Sequence, residues 1–248
     1  AWTTIGLWGS RARDVLAAVT DADVSHAGFP FLTSKHVDIN GVRTLASRIS
    51  YVGELGWEFY LPMEQGAKLW DAIWDAGQPS GLIAAGIGVY GTTGRLEKGY
   101  RSFGDELTGD FNLVEAGMTR PKVKAQDFVG KAAYLKQREQ PPAAVLCTLT
   151  VDDHSSSSGE LRYPLGGEPV LGPDGAVLTD SRGRTSYVTS AGSGPSVGKH
   201  ILLAYLPADQ AVEGSNLAVE YLGERYPVTV AVAGSTPLFD PANDRIRC

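Results

Sequence analysis

Glu54 is the first residue of this chain whose type and setting suggest chemistry. It stands in Gly53-Glu54-Leu55-Gly56, between two strand-like stretches, and the flanking glycines let the backbone pass close to a ligand. A carboxylate at such a turn can accept two parallel hydrogen bonds from a planar amidine-like edge, each contributing roughly 1.5–3 kcal/mol. The alternative is an exposed turn acid, and spacing alone does not choose between the two. A second cluster, Arg95, Glu97, Lys98 and Arg101 with Tyr100 and Phe103 interleaved, reads either as a solvated helix face with i, i+3 ion pairs or as a basic patch for an anionic tail. Trp57, Trp70 and Trp74 offer rings for stacking, although Trp70 and Trp74 at helical spacing also suit a helix packed on a core.

Other chemical devices are missing. The histidines at 26, 36, 154 and 200 have no HxxxH or HxH spacing, so no metal site is expected. No GxGxxG fingerprint follows a strand, and neither GxxxxGK[ST] nor GxSxG occurs. Cys147 and Cys248 are the only cysteines, too few for a disulfide framework or a cysteine zinc site.

The elements that must position Glu54 can be read from periodicity. Trp2 to Trp8 alternates like a strand, and Gly9-Ser10 introduces a helix with Val15, Leu16 and Val19 on one face. Strands are expected over Val37 to Ile39 and Thr44 to Val52 around the Asn40-Gly41 turn, with Trp57 to Leu61 returning after Gly56. Leu69, Ala72, Ile73 and Ala76 predict a helix over Glu64 to Ala76, ended by Gly77 and Pro79. Further helices are expected over Gly88 to Lys98, despite Gly91 and Gly94, and over Gly130 to Gln137, capped by Asp127 or a residue beside it. Beyond the Pro141-Pro142 break the pattern turns to short strands at 144–151, 167–171, 176–178, 184–190, 217–222 and 226–233. A domain boundary is placed near Pro141, and the serine run within His154 to Gly159 reads as a mobile loop. The fold class is α+β: residues 1–140 an α+β region, residues 141–248 a small antiparallel β-barrel.

Composition narrows the function. With 248 residues, 43% hydrophobic and 20% charged, the chain is an ordinary globular sequence. Thirty glycines and fourteen prolines exceed what a helical bundle uses. A net charge of −6 argues against nucleic acid and gives no general attraction to an anionic membrane. No apolar run is long enough to span a bilayer and no leader pattern opens the sequence, so a cytoplasmic location is expected.

Several segments in order carry a resemblance. Arg48-Ile49-Ser50-Tyr51-Val52-Gly53-Glu54-Leu55-Gly56-Trp57-Glu58 and Arg95-Leu96-Glu97-Lys98-Gly99-Tyr100-Arg101-Ser102-Phe103-Gly104 are followed by Glu115-Ala116-Gly117 and Asp127-Phe128-Val129-Gly130-Lys131. Later come Gly166 to Val170, Val188 to Ser190, Gly198-Lys199, Ala204 to Pro207 and the closing Leu238-Phe239-Asp240-Pro241. Together they resemble the glycine-cleavage T-protein (aminomethyltransferase) superfamily over nearly the whole chain. The Glu-Lys-Gly-Tyr-Arg-Ser-Phe-Gly run looks nearest to the folate domain fused behind flavin-dependent dimethylglycine and sarcosine oxidases or dehydrogenases.

The resemblance implies a tetrahydrofolate site drawing on Glu54, Tyr51, Trp57, Arg95 and Tyr100, with Glu54 on the pterin and the basic cluster toward the glutamate tail. It implies one-carbon transfer from a small methylated amine to give 5,10-methylenetetrahydrofolate, with any FAD on a separate domain or subunit. The family's catalytic acid lies in a segment upstream of anything like residues 1–8, so the chain is expected to begin partway through the fold and no catalytic residue is assigned. Gly91 stands where the T-protein proper has an arginine, which argues against a folate contact there. Rival implications are a non-catalytic folate-binding domain, a folate-dependent O- or S-demethylase, and a domain that has lost folate. A relative assisting iron–sulfur assembly is disfavoured, because Asp127 stands where that branch has its cysteine.

Overall fold

A computed structural model describes residues 1–119 and 122–248, in two compact units: residues 1–90 with 242–248, and residues 91–241. The first unit is built on a four-stranded antiparallel sheet. Its strands are β1 (Trp2–Trp8), β2 (Ser34–Ile39), β3 (Val42–Ser47) and β4 (Gly56–Pro62), in the order β1-β4-β3-β2. β2 and β3 form the expected hairpin, with Asn40 (φ 49°) and Gly41 (φ 73°) supplying the two left-handed residues that a tight hairpin turn requires. β4 has period two: Trp57, Phe59 and Leu61 enter the core, while Gly56, Glu58 and Tyr60 share the opposite face. Helix α1 (Ala12–Ala17) buries Val15 and Leu16, and α2 (Gly66–Gly77) buries Leu69, Ile73 and Gly77 along one stripe.

Two features fix the ends of β1 and β3. Trp8 lies across Gly6 and Gly56, where an added Cβ would come within 1.9 Å of the indole and 2.2 Å of the Leu7 carbonyl oxygen, respectively. At the end of β3, the fully buried Arg48 donates to the carbonyls of Phe29 (2.8 Å) and Cys248 (3.0 Å), with longer contacts to Ile246 and Arg247. It thereby caps the C-terminal end of the short helix Asp244–Arg247, whose last carbonyls have no partner within the helix.

In the second unit, a π-helical turn, Val89–Gly94, leads from the first unit into α3 (Arg95–Glu97), and α4 (Lys131–Arg138) follows. Six antiparallel strands come next: β5 (Ala144–Val151), β6 (Val170–Leu171), β7 (Val188–Gly194), β8 (Lys199–Pro207), β9 (Asn216–Tyr221) and β10 (Glu224–Ala233), in the order β6-β9-β10-β5-β8-β7. The sheet curls until its edges meet. Pro169 bridges Tyr187, and Val170 and Val188 donate backbone bonds to Ser186 and Glu168 at 3.0 and 2.8 Å. The interior holds Cys147, Leu149, Val188, Leu202, Leu206, Val219, Val228 and Val230. Burial pushes the Cys147 thiol up to about 12. On the outside, Leu96 and Ala116 pack against Leu146, Ile201, Leu203 and Tyr205.

Several expectations need correction. β3 ends at Ser47: the Arg48 backbone still bonds Thr33 and Leu32, but Leu32 is left-handed (φ 64°) and Ile49 N turns back to Ser47 O at 3.0 Å, so the ladder goes no further. The 88–98 helix is a π-helical turn joined to one short α turn. The spacing of Gly86, Gly88 and Gly91 matches GxGxxG, but no strand precedes it. α4 is N-capped by Gly130 (φ 86°), with no side-chain cap from Asp127. Residues 176–178 contribute only isolated bridges, and β7 begins four residues later than the 184–190 reading. The 154–159 loop is pinned, its Ser157 amide and hydroxyl bonding the Glu224 carboxylate at 2.7 and 3.0 Å. The compact units part after Tyr90, and Leu96, Leu107, Phe111 and Ala116 of the second unit pack against its sheet. β8 had no counterpart in the sequence reading.

Gly56→Ala is expected to cost about 1–3 kcal/mol, because its Cβ meets a backbone oxygen that cannot move aside. Gly88→Ala, facing open space, should stay within about 0.5 kcal/mol; urea midpoints at unchanged m measure both. Arg48→Met should cost about 1–3 kcal/mol by the same measurement, since it orphans the buried Phe29 carbonyl and releases that of Cys248. His200, 7% exposed, donates from Nε2 to Pro164 O at 2.8 Å beside His154, Tyr163 and Glu168, and burial holds its pKa below the usual imidazole value. The unfolded chain therefore takes up this proton first, so His200's contribution is complete above about pH 6.5 and is lost as the pH falls. His200→Gln should flatten the stability profile between roughly pH 5 and 7; an equally steep profile would assign that slope to other groups.

Candidate functional site

The loop from Arg48 to Leu55 joins β3 to β4 and carries Glu54. Gly53 is left-handed (φ 83°), and the Glu54 amide donates to Ser50 Oγ at 3.1 Å, so the turn is closed locally. Leu55 O accepts from Gly9 N at 2.9 Å, tying the loop to the end of β1. The Glu54 side chain is one-quarter exposed, and Oε1 accepts from Arg245 Nη1 at 2.6 Å. A planar guanidinium thus already meets this carboxylate, which shows that it can take an N–H donor of the type an amidine-like edge presents.

Tyr51, half-buried at the base of the loop, lies 5.1 Å from the ring of Tyr90. Tyr90 in turn packs 5.5 Å from Trp8, and its hydroxyl donates to Glu58 Oε1 at 3.2 Å. Tyr60 donates to the other oxygen, Oε2. Burial pushes the Tyr90 phenol up to about 12 and that of Tyr60 higher still, so both remain donors at neutral pH. Beside this group, along the edge of β1, runs a cavity of about 890 Å³ lined by residues 3–8 of that strand, by Glu58, Tyr60 and Tyr90, and by residues of α2, including Trp70 and Trp74.

The sequence-selected residues are not all gathered here. Glu54 and Tyr51 share the loop. Trp57 is fully buried, its ring packed on Phe29 at 6.1 Å and beneath Arg48 at 5.8 Å, so no face is open for a ligand. Arg95 and Tyr100 belong to the second unit. Arg95 is buried and committed to Glu106 (3.1 Å), Ser190 (2.8 Å) and the Tyr100 carbonyl (3.1 Å), a structural anchor rather than a patch facing solvent. Lys98 is buried likewise and bonds the Asp240 carbonyl at 2.6 Å. Tyr100 is half-buried, and burial pushes its phenol up.

Sequence reasoning missed Glu58, Tyr60, Tyr90 and Arg245. The alternation in Trp57-Glu58-Phe59-Tyr60-Leu61 could have flagged Glu58 and Tyr60 as one face; nothing local points to Tyr90 or Arg245. Among the described residues, no group of three or more His, Cys, Asp or Glu could hold a metal ion, and no helix is long and apolar enough to cross a membrane.

Comparison with known proteins agrees with this architecture. The human mitochondrial dimethylglycine dehydrogenase is 33% identical over 248 residues, covering 98% of this chain and 26% of that protein. An aminomethyltransferase of Shouchella clausii (strain KSM-K16) is 32% identical, covering 89% of this chain and 56% of the relative. The chain therefore spans between about a quarter and just over half of the length of these relatives. The crystal structure of the glycine cleavage system aminomethyltransferase T from Bartonella henselae has the same fold, with a TM-score of 0.75 at 23% identity over 93% of this chain and 58% of that one. The GCVT N-terminal domain profile matches residues 1–124 and the glycine cleavage T-protein C-terminal barrel domain matches residues 146–240, so this chain belongs to the glycine cleavage T-protein family.

Proposed function

We propose that this chain is a tetrahydrofolate-dependent one-carbon transfer module that receives a one-carbon unit derived from an N-methyl amine and yields 5,10-methylenetetrahydrofolate. The observation that carries the reading is the Glu54 carboxylate, held on a glycine-closed loop and already meeting the planar N–H donor of Arg245 at 2.6 Å. Family membership supplies the folate, and the relatives named dimethylglycine dehydrogenase and aminomethyltransferase supply the reaction class.

Tetrahydrofolate, when bound, supplies the nucleophilic nitrogens that take up the one-carbon unit. The chain's own part is positioning. Glu54 accepts the amino edge of the pterin in place of Arg245, and Tyr51, braced by Tyr90, forms the adjacent aromatic wall. We assign no residue of this chain to the proton transfer, and we leave Trp57 and Arg95 out of the site because both are buried and packed. Any flavin chemistry belongs to a separate domain or subunit, and we keep the domain boundary near Pro141, a reading supported by the gap between the matched segments 1–124 and 146–240.

Thermal unfolding with tetrahydrofolate tests the reading. At a hundredfold excess over Kd a bound ligand stabilises by about 2.7 kcal/mol, so a clear upward shift in Tm is expected. Glu54→Gln, which replaces an acceptor oxygen with a donor, should remove most of that shift, whereas Arg245→Ala should preserve or enlarge it. No shift at millimolar tetrahydrofolate would overturn the folate reading; an undiminished shift in Glu54→Gln would remove Glu54 from it.

A further inference from the structure

Buried carboxylates need compensation, and those of this protein mostly have it. Glu106 faces Arg95, Glu115 and Asp180 face Arg184, and Glu168 accepts the backbone amides of Leu165 and Gly166. Glu58 differs. It is 5% exposed, its described partners are the two neutral hydroxyls of Tyr60 and Tyr90, and no Lys, Arg or His pairs with it among the described residues. Two phenols use two of about four acceptor positions on a carboxylate, leaving capacity for a further donor.

Unlike those other acids, Glu58 lines a cavity large enough for a small molecule, at about 890 Å³. Apart from Glu58, Thr3, Thr4, Tyr60 and Tyr90 the cavity is walled by apolar and aromatic groups, among them Trp8 and the parallel pair Trp70 and Trp74, whose rings lie 6.1 Å apart at 10°. An anionic floor under indole walls suits a soft organic cation: the carboxylate neutralises its charge, the ring faces attract it, and its alkyl part is removed from water. A metal ion fits poorly, since a single carboxylate with two phenols is a thin ligand set and, among the described residues, Glu58 belongs to no group of three or more His, Cys, Asp or Glu that could hold one.

We propose that this cavity is a binding site for an alkylammonium ion, with Glu58 as its counter-ion, Tyr60 and Tyr90 holding the carboxylate in place, and Trp70 and Trp74 as its wall. The site uses a different carboxylate from the folate reading, although Tyr90 borders both.

The test compares n-butylammonium chloride with its neutral isostere 1-butanol, by calorimetry and by the fluorescence of the lining tryptophans. The cation is expected to bind tighter by on the order of tenfold, the size of one charge-assisted hydrogen bond, and raised salt should narrow the difference. Glu58→Gln, checked for folding by its melting curve, should abolish the preference. If Glu58→Gln does not fold, Trp70→Ala, at a wall residue 44% exposed, should weaken the cation several-fold. Equal affinity for the two probes, a preference that survives Glu58→Gln, or cation binding unaffected by Trp70→Ala would each overturn the proposal. Glu54→Ala should leave butylammonium binding intact, and a parallel loss there would show that the two sites are one.

Discussion

The first unit depends on where Arg48 places its donors. A guanidinium buried at the end of β3 must find acceptors, and it finds them on Phe29 and on the last carbonyls of the helix Asp244–Arg247. These bonds hold the end of β3 at the point where the Glu54 loop begins. They also anchor the returning segment from which Arg245 reaches Glu54. Burial and the neighbouring Arg13 pull the Arg48 pKa down, as expected for a cation whose neutralisation comes from carbonyl dipoles. Trp57 completes the arrangement: its ring lies under this guanidinium, which accounts for its place in the core.

The second unit is organised by a different constraint. Its sheet curls on itself, so β5 and β8 are covered on both faces, by the barrel interior and by the segment containing Leu96 and Ala116. The charged residues Arg95, Glu106, Lys98 and Glu115 are buried there as paired or hydrogen-bonded groups, with the half-buried Arg184 closing on Glu115. The basic cluster that looked like a solvated face or an anion patch is therefore largely internal wiring. Ion pairs removed from water cost much to break, which suits a role in holding the covering segment to the sheet.

Much of the first unit was legible because its sheet turns an apolar face to the core while polar or small side chains such as Gly56, Glu58 and Tyr60 occupy the other. Period two in β4, the Asn40-Gly41 turn and the stripe of α2 each leave a local trace. β8 left none: eight of its nine residues are buried, so alternation is absent and a continuous apolar run gives no phase. The π-helical turn at Val89–Gly94 was likewise invisible, since helix and π turn share the same local composition.

By itself the sequence determined the α+β class, the strand-rich second half, the family and the loop on which Glu54 stands, because turn chemistry and motif order are properties of neighbouring residues. Only the tertiary structure decided which candidates have open faces. Trp57 and Arg95 went inward, while Glu58, Tyr60 and Tyr90, separated by up to 32 positions, came together at one cavity. Contacts over such distances are set by how strands and helices pack, and no short stretch of sequence encodes them.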